Sequence, residues 1–195
     1  MKIGILGGTF DPPHLGHLWL ARTARQQLGL DEVYLMPTSQ NPLKRFQATA
    51  GPKHRMAMVQ AMIEGEPGLA SSDAELTRGG PSYTVDTLEE FQMVRPADYW
   101  FIMGADGLAT LENWKSPQKL ARLCRIAVAL RPPMTESQLL VRIPELFKDR
   151  FDLVHMAPTE ISATEVRDRA FRHLSLGGYV TPAVAAYIQK HKLYT

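Results

Sequence analysis

Residues Lys2 to Leu6 (KIGIL) run directly into Gly7-Gly8-Thr9-Phe10-Asp11-Pro12-Pro13-His14-Leu15-Gly16-His17, and then into a segment carrying Leu18, Trp19, Leu20 and Leu28. A short β-branched apolar run, a glycine turn and an apolar-periodic segment predict a strand, a turn and a helix start. Gly7 and Gly8 lack a Cβ, so a ligand can come close to the main chain and the chain can take positive φ. The helix that follows offers free N–H groups and the positive end of its dipole, which suits phosphate. His14 and His17, three residues apart, put both imidazoles on one side once the helix has begun, and Gly16 leaves room for a ligand between them. At the level of spacing alone, a tight turn beside surface or metal-ligating histidines remains an open alternative.

Outward from this stretch the pattern repeats. Strands are predicted over Lys2 to Leu6, Glu32 to Met36, Asp98 to Met103, Arg125 to Leu130 and Phe151 to His155, with a further one over Leu69 to Leu76 between Gly68 and Gly79-Gly80. Helices are predicted over Gly16 to Leu28, Lys53 to Glu64, Thr84 to Val94, Thr135 to Phe147, Ala163 to Leu174 and Pro182 to His191. Such alternation implies an α/β fold, Rossmann-like and doubly wound, with a mainly parallel sheet of about five or six strands and helices on both faces. Ligands of open α/β sheets bind beyond the carboxyl ends of the strands, which is where the glycine turn falls. The longest irregular stretch, Pro37 to Pro52, is rich in Pro, Asn, Gln and Thr, and long loops of this kind are often functional.

A chain of 195 residues is long enough for one sizeable core and short for two, so residues 1–195 are expected to form a single domain with one active site. Apolar residues make up 45% and charged residues 22%, values of a globular protein rather than a disordered one. The formal net charge is only +2 and the Lys and Arg residues are spread along the chain, which argues against a nucleic-acid partner. No stretch approaches the roughly twenty apolar residues of a membrane span, and the N-terminal apolar run is too short for a signal peptide, so no membrane association is expected. Cys124 is the single cysteine, which excludes an intramolecular disulfide and fits a cytoplasmic location. Its setting in LARLCRIAVAL reads as core rather than nucleophile.

Near the C-terminus, Ile161-Ser162-Ala163-Thr164-Glu165-Val166-Arg167 follows the last strand and opens a helix. Ser162 and Glu165 have capping-box spacing, so Ser162 is read as a helix cap that also exposes a second anion-binding helix end. Arg167 could clamp phosphate oxygens in a bidentate manner. A dehydrogenase fingerprint is disfavoured, because the first turn reads G-I-L-G-G-T where G-x-G-x-x-G is needed.

GGTFDPPHLGH resembles the signature of the nucleotidyl-transferase superfamily, and its G-G-x-F-D-P-x-H-x-G-H form resembles the family of bacterial nicotinate-nucleotide adenylyltransferases. ISATEVR resembles that family's I-S-S-T-x-[IV]-R element, with Ala163 in place of the second serine. In the middle of the chain, P-S-Y-T-x-D-T-L (Pro81 to Leu88) and G-x-D-x-L-x-x-L-x-x-W (Gly104, Asp106, Leu108, Leu111, Trp114) resemble it too. The resemblance implies an ATP-dependent adenylyl transfer to nicotinate mononucleotide, with Mg²⁺ accompanying ATP and no dedicated protein metal site. It implies ATP contacts at Gly7, Gly8, Thr9, Phe10, His14, Gly16, His17, Gly104, Asp106, Ser162, Thr164 and Arg167. Acceptor contacts are implied at Gly8, Thr9, Lys44, Tyr83, Thr84 and Trp114, with the tryptophan stacking on the pyridine ring and nearby backbone amides reading the carboxylate. His14, His17, Lys44 and Arg167 are implied to be the catalytic set. Lys44 lies where the family shows a histidine followed by a basic residue, and Leu43 replaces that histidine. On spacing alone Trp114 reads as a core aromatic after Leu108 and Leu111. Nicotinamide mononucleotide or pantetheine phosphate as acceptor, and a non-catalytic nucleotide sensor, are the alternatives.

Overall fold

β1 (Lys2–Gly8) is buried on both sides: Ile3 and Ile5 join one apolar cluster and Leu6 joins the other. That two-sided burial is the property of a central parallel strand, and it explains why the run is apolar throughout instead of alternating. The structure, a computed structural model, describes residues 1–42, 48–130 and 133–195. β1 lies between β2 (Glu32–Pro37) and β4 (Asp98–Gly104) in a six-stranded sheet of order β3-β2-β1-β4-β5-β6, completed by β3 (Leu69–Ser71), β5 (Cys124–Leu130) and β6 (Phe151–His155). Every pairing is parallel. The strand order reverses direction between β1 and β4, so a crevice opens above the carboxyl ends of these two strands.

One face of the sheet is covered by α1 (Leu15–Leu28), α2 (Pro52–Ile63), α7 (Ala163–Phe171) and α8 (Pro182–Lys190), which contribute Leu18, Met58, Val59, Val166, Val184 and Ile188 to the core. The other face is covered by α4 (Thr84–Val94), α5 (Pro117–Leu123) and α6 (Glu136–Leu140) through Leu88, Leu120 and Leu139. The α/β, doubly wound expectation is thus met. Helix starts follow capping chemistry: Ser162 accepts from the Glu165 N–H and Thr181 from the Val184 N–H, each occupying one of the donors a first helical turn leaves over. α1 stops at Gly29, whose φ of 61° is the left-handed cap that glycine adopts without strain.

Three expectations change. The strand expected over Leu69 to Leu76 ends at Ser71, and the short helix α3 (Ala74–Arg78) follows. The helix expected over Thr135 to Phe147 is split into α6 and a 3₁₀ turn over Glu145–Phe147, because Pro144 has no N–H to donate and its ring crowds the preceding turn. Two elements were not anticipated: α5, and the 3₁₀ run Ala105–Asn113 that leads from β4 to Trp114. Cys124 is buried as expected, and burial pushes its thiol up to about 12, which keeps it uncharged and unreactive. No helix among the described residues is long and apolar enough to cross a membrane.

Candidate active site

The glycine turn is shaped by close approach. A Cβ on Gly8 would stand 3.2 Å from the Phe10 ring, and one on Gly16 would stand 3.1 Å from the His14 ring. Phe10 itself has φ 51° and is fully buried, so the turn is held by a side chain that points into the core. His14 is the N-cap of α1, and its backbone N–H donates to His17 Nδ1 at 3.2 Å. A neutral imidazole that accepts on Nδ1 carries its proton on Nε2, so His17 presents a donor on the far side of the ring. The His14 and His17 rings are stacked at 3.7 Å, and Phe10 packs edge-on against His17 at 4.9 Å.

Asp11, in the middle of the turn, is 5% exposed. Its carboxylate accepts the N–H groups of Thr49 (2.7 Å) and Ala50 (3.0 Å) and the hydroxyl of Tyr194 (2.8 Å). Burial pushes the Tyr194 hydroxyl well above its usual value, and the bond to Asp11 adds to the effect. Arg55, 1% exposed, donates to the carbonyls of Thr9 at 2.7 Å and Ala50 at 3.2 Å. Its pKa is drawn down by burial, with the Asp11 charge opposing. Arg167 donates from Nη1 to the Asp11 carbonyl at 2.7 Å and from Nη2 to Thr164 Oγ1 at 3.2 Å. A Cβ on Gly16 would also meet the Ile161 carbonyl at 3.9 Å. The N-terminal ends of α1 and α7, read from opposite ends of the sequence, therefore meet at one place.

Beside them lies a cavity of about 380 Å³ above the ends of β1 and β4. Of the acceptor contacts expected from the sequence, Gly8, Tyr83, Thr84 and Trp114 line it and Thr9 does not; Gly7, expected at ATP, lines it too. Trp114 is partly buried, packs edge-on to Phe101 at 5.4 Å, and donates its Nε1–H to Thr110 Oγ1 at 3.2 Å, so the indole is oriented before any ligand arrives. Gly104 closes β4, and the register that pairs Leu6 with Ile102 sets it level with Gly8; Asp106 follows in the first turn of the 3₁₀ run, exposed. Ser162 and Thr164 stand at the start of α7 beside Arg167. Lys44, named from the sequence, lies outside the described residues.

Glu75, Ser82, Asn41 and Lys115 also line the cavity and were not anticipated. Lys115 sits 4.7 Å above the Tyr83 ring and holds both carboxylate oxygens of Asp86 at 2.8 Å. Its position immediately after Trp114 was the available signal. Among the described residues, no group of three or more His, Cys, Asp or Glu side chains is placed to hold a metal ion.

Residues 5–169 match the family described as cytidylyltransferase-like. A protein of Bordetella petrii named probable nicotinate-nucleotide adenylyltransferase is 41% identical, across 99% of this chain and 98% of its own length. One of the same name from Herpetosiphon aurantiacus is 39% identical over the same shares. Among solved structures, the fold is similar to that of Plasmodium falciparum nicotinic acid mononucleotide adenylyltransferase complexed with NaAD, at a TM-score of 0.76 and 20% identity, covering 99% of this chain and 97% of that one.

Proposed function

We propose that this chain, which belongs to the nicotinate-nucleotide adenylyltransferase family, transfers AMP from ATP to nicotinate mononucleotide, giving nicotinate adenine dinucleotide and pyrophosphate for NAD biosynthesis. In this reading residues 1–195 act as one nucleotidyl-transferase domain, and a cytoplasmic location, where ATP is at hand, suits it. The observation that carries it is the bond from Arg167 to the Asp11 carbonyl, which joins two helix N-termini into one anion-binding surface beside a cavity that holds an oriented tryptophan.

The acceptor's phosphate oxygen attacks the α-phosphorus of ATP in line, and pyrophosphate leaves. A phosphate is ionised at neutral pH, so the chain needs no strong base. Its work is to position and to offset charge. His17 donates from Nε2 and His14 stands stacked beside it, both toward the phosphate oxygens of ATP. Arg167, Ser162 and Thr164 at the start of α7 receive the departing charge. Gly7, Gly8, Thr9, Phe10 and Gly16 shape the turn, Gly104 and Asp106 flank the nucleotide on the β4 side, and Lys44 adds a cation from its loop. Trp114 stacks on the pyridine ring, with Tyr83 and Thr84 completing the acceptor wall. Asp11, the carboxylate of the turn, is committed to two amides and a hydroxyl, so a Mg²⁺ accompanying ATP would be held by the nucleotide rather than by this side chain. Such an ion would supply neutralisation of charge on the leaving pyrophosphate.

The test is pyrophosphate release from ATP with nicotinate mononucleotide, nicotinamide mononucleotide and phosphopantetheine in turn. Fastest release with the first, and a dinucleotide product in equal amount, is expected. Release that needs phosphopantetheine, or none with any acceptor, overturns the assignment.

A further inference from the structure

Glu75 stands in α3 with 6% of its surface exposed, and it lines the acceptor cavity together with Tyr83, Thr84 and Trp114. The Thr87 hydroxyl donates to its Oε1 at 2.8 Å. Its Oε2 is sealed from solvent with no hydrogen-bond partner among the described residues. Among the described residues, no Lys or Arg forms an ion pair with it. Arg78 donates to Thr87 Oγ1 at 2.8 Å and lies 2.8 Å from Glu90 instead. Lys115, the one Lys or Arg among the described residues lining the cavity, is held by both oxygens of Asp86. A buried carboxylate with one oxygen lacking a well-placed donor is costly, whereas the same group with a proton is neutral and gains a donor. Burial pushes the Glu75 carboxyl above its ordinary value, and the hydroxyls of Ser82 and Thr87 and the charge of Arg78 pull the other way.

We propose that Glu75 is a specificity-determining residue of the acceptor cavity: protonated, it admits a pyridine ring bearing a carboxylate, and ionised, it turns the preference toward a ring bearing a neutral amide. The inference rests on the acceptor reading above and deepens it. Two carboxylates in one site resist ionising together, so a carboxylate-bearing acceptor binds with uptake of a proton at Glu75. Above the Glu75 pKa, affinity for the acid acceptor then falls about tenfold for each pH unit. An amide acceptor has no charge to clash with an ionised Glu75. Among the described residues, the charged or titratable groups around Glu75 are Arg78 on α3, Asp86 and Glu90 on α4, Tyr83 on the loop before it, and Lys115 across the cavity. The Arg78–Glu90 and Lys115–Asp86 pairs are each closed, which leaves Glu75, among the described residues, as the group that responds to the acceptor's charge.

The experiment measures kcat/KM for nicotinate mononucleotide and nicotinamide mononucleotide by pyrophosphate release, from about pH 6 to about pH 9, in the intact enzyme and in Glu75→Gln. The ratio of the two acceptors cancels the ionisation of the phosphate they share. A wild-type ratio that falls about tenfold or more toward alkaline pH, with a level ratio in Glu75→Gln, is the expected result. Calorimetry of nicotinate mononucleotide binding to wild type at the alkaline end of this range, in two buffers of different ionisation enthalpy, gives a readout that does not need the variant to fold, and it should register uptake of a proton there. A level wild-type ratio, a slope that survives in Glu75→Gln, or binding without proton uptake overturns the proposal while leaving the adenylyltransferase reading intact. Absence of turnover with either acceptor overturns both.

Discussion

The phosphate turn and the acceptor cavity are neighbours built by opposite means. The turn is one contiguous stretch, and wholly or partly buried hydrogen bonds from far along the chain fasten it: Arg55 to Thr9, Tyr194 and the Thr49 and Ala50 amides to Asp11, Arg167 to the Asp11 carbonyl. The cavity is assembled from short pieces of β1, the loop after β2, α3, the start of α4 and the approach to α5, and its polar contacts are partly open to solvent. On the proposed reading, the common half of the reaction, gripping a triphosphate, sits on a platform fastened at several points. The variable half, choosing an acceptor, sits where single side chains can change without unseating the fold.

This contrast can be broken at several points. Removing the His17 donor strikes the turn at its chemical end: His17→Ala should lower kcat by about 10²–10³ while the KM for ATP changes little, checked by steady-state pyrophosphate release. Arg55→Met strikes it structurally, leaving two carbonyls with a lost partner in a buried setting, and should cost about 3 kcal/mol of stability in urea unfolding. On the cavity side, Trp114→Ala should raise the KM for the acceptor about tenfold and leave the KM for ATP and the unfolding midpoint near wild type; a matching rise for ATP would show that the two halves are not separate. Tyr194→Phe keeps the ring and removes one bond to Asp11, so a stability loss of about 1 kcal/mol is expected. The smallest effect belongs to Lys115→Met, whose partly exposed pairing with Asp86 should contribute less than about 1 kcal/mol to stability.

Legibility in the sequence followed the same divide. The strand, turn and first helix are consecutive residues, so periodicity and the glycines exposed them together, and ISATEVR was found because its serine cap is local. What fastens the turn was not legible. Arg55 and Tyr194 act on partners 46 and 183 residues away, and no spacing within a window connects them. Glu75 was hidden because α3 has five residues, too few to show a helical period, and the small residues before it read as strand. Trp114 looked like core by spacing, and its partial burial over the cavity lies between that reading and an exposed stacking ring. The 3₁₀ run before it buries Leu108 and Leu111, a pair three residues apart that suits a 3₁₀ or an α turn equally.

The central claim is that the turn at His14 and His17 and the turn at Arg167 act on a single triphosphate. A double-mutant cycle measures this directly, with kcat/KM for ATP determined at saturating nicotinate mononucleotide for wild type, His17→Ala, Arg167→Ala and the double variant. The two losses should be coupled by about 1 kcal/mol or more, since either change loosens the same phosphate chain. Losses that add to within about 0.3 kcal/mol would contradict it, because they would mean that the two turns serve separate ends.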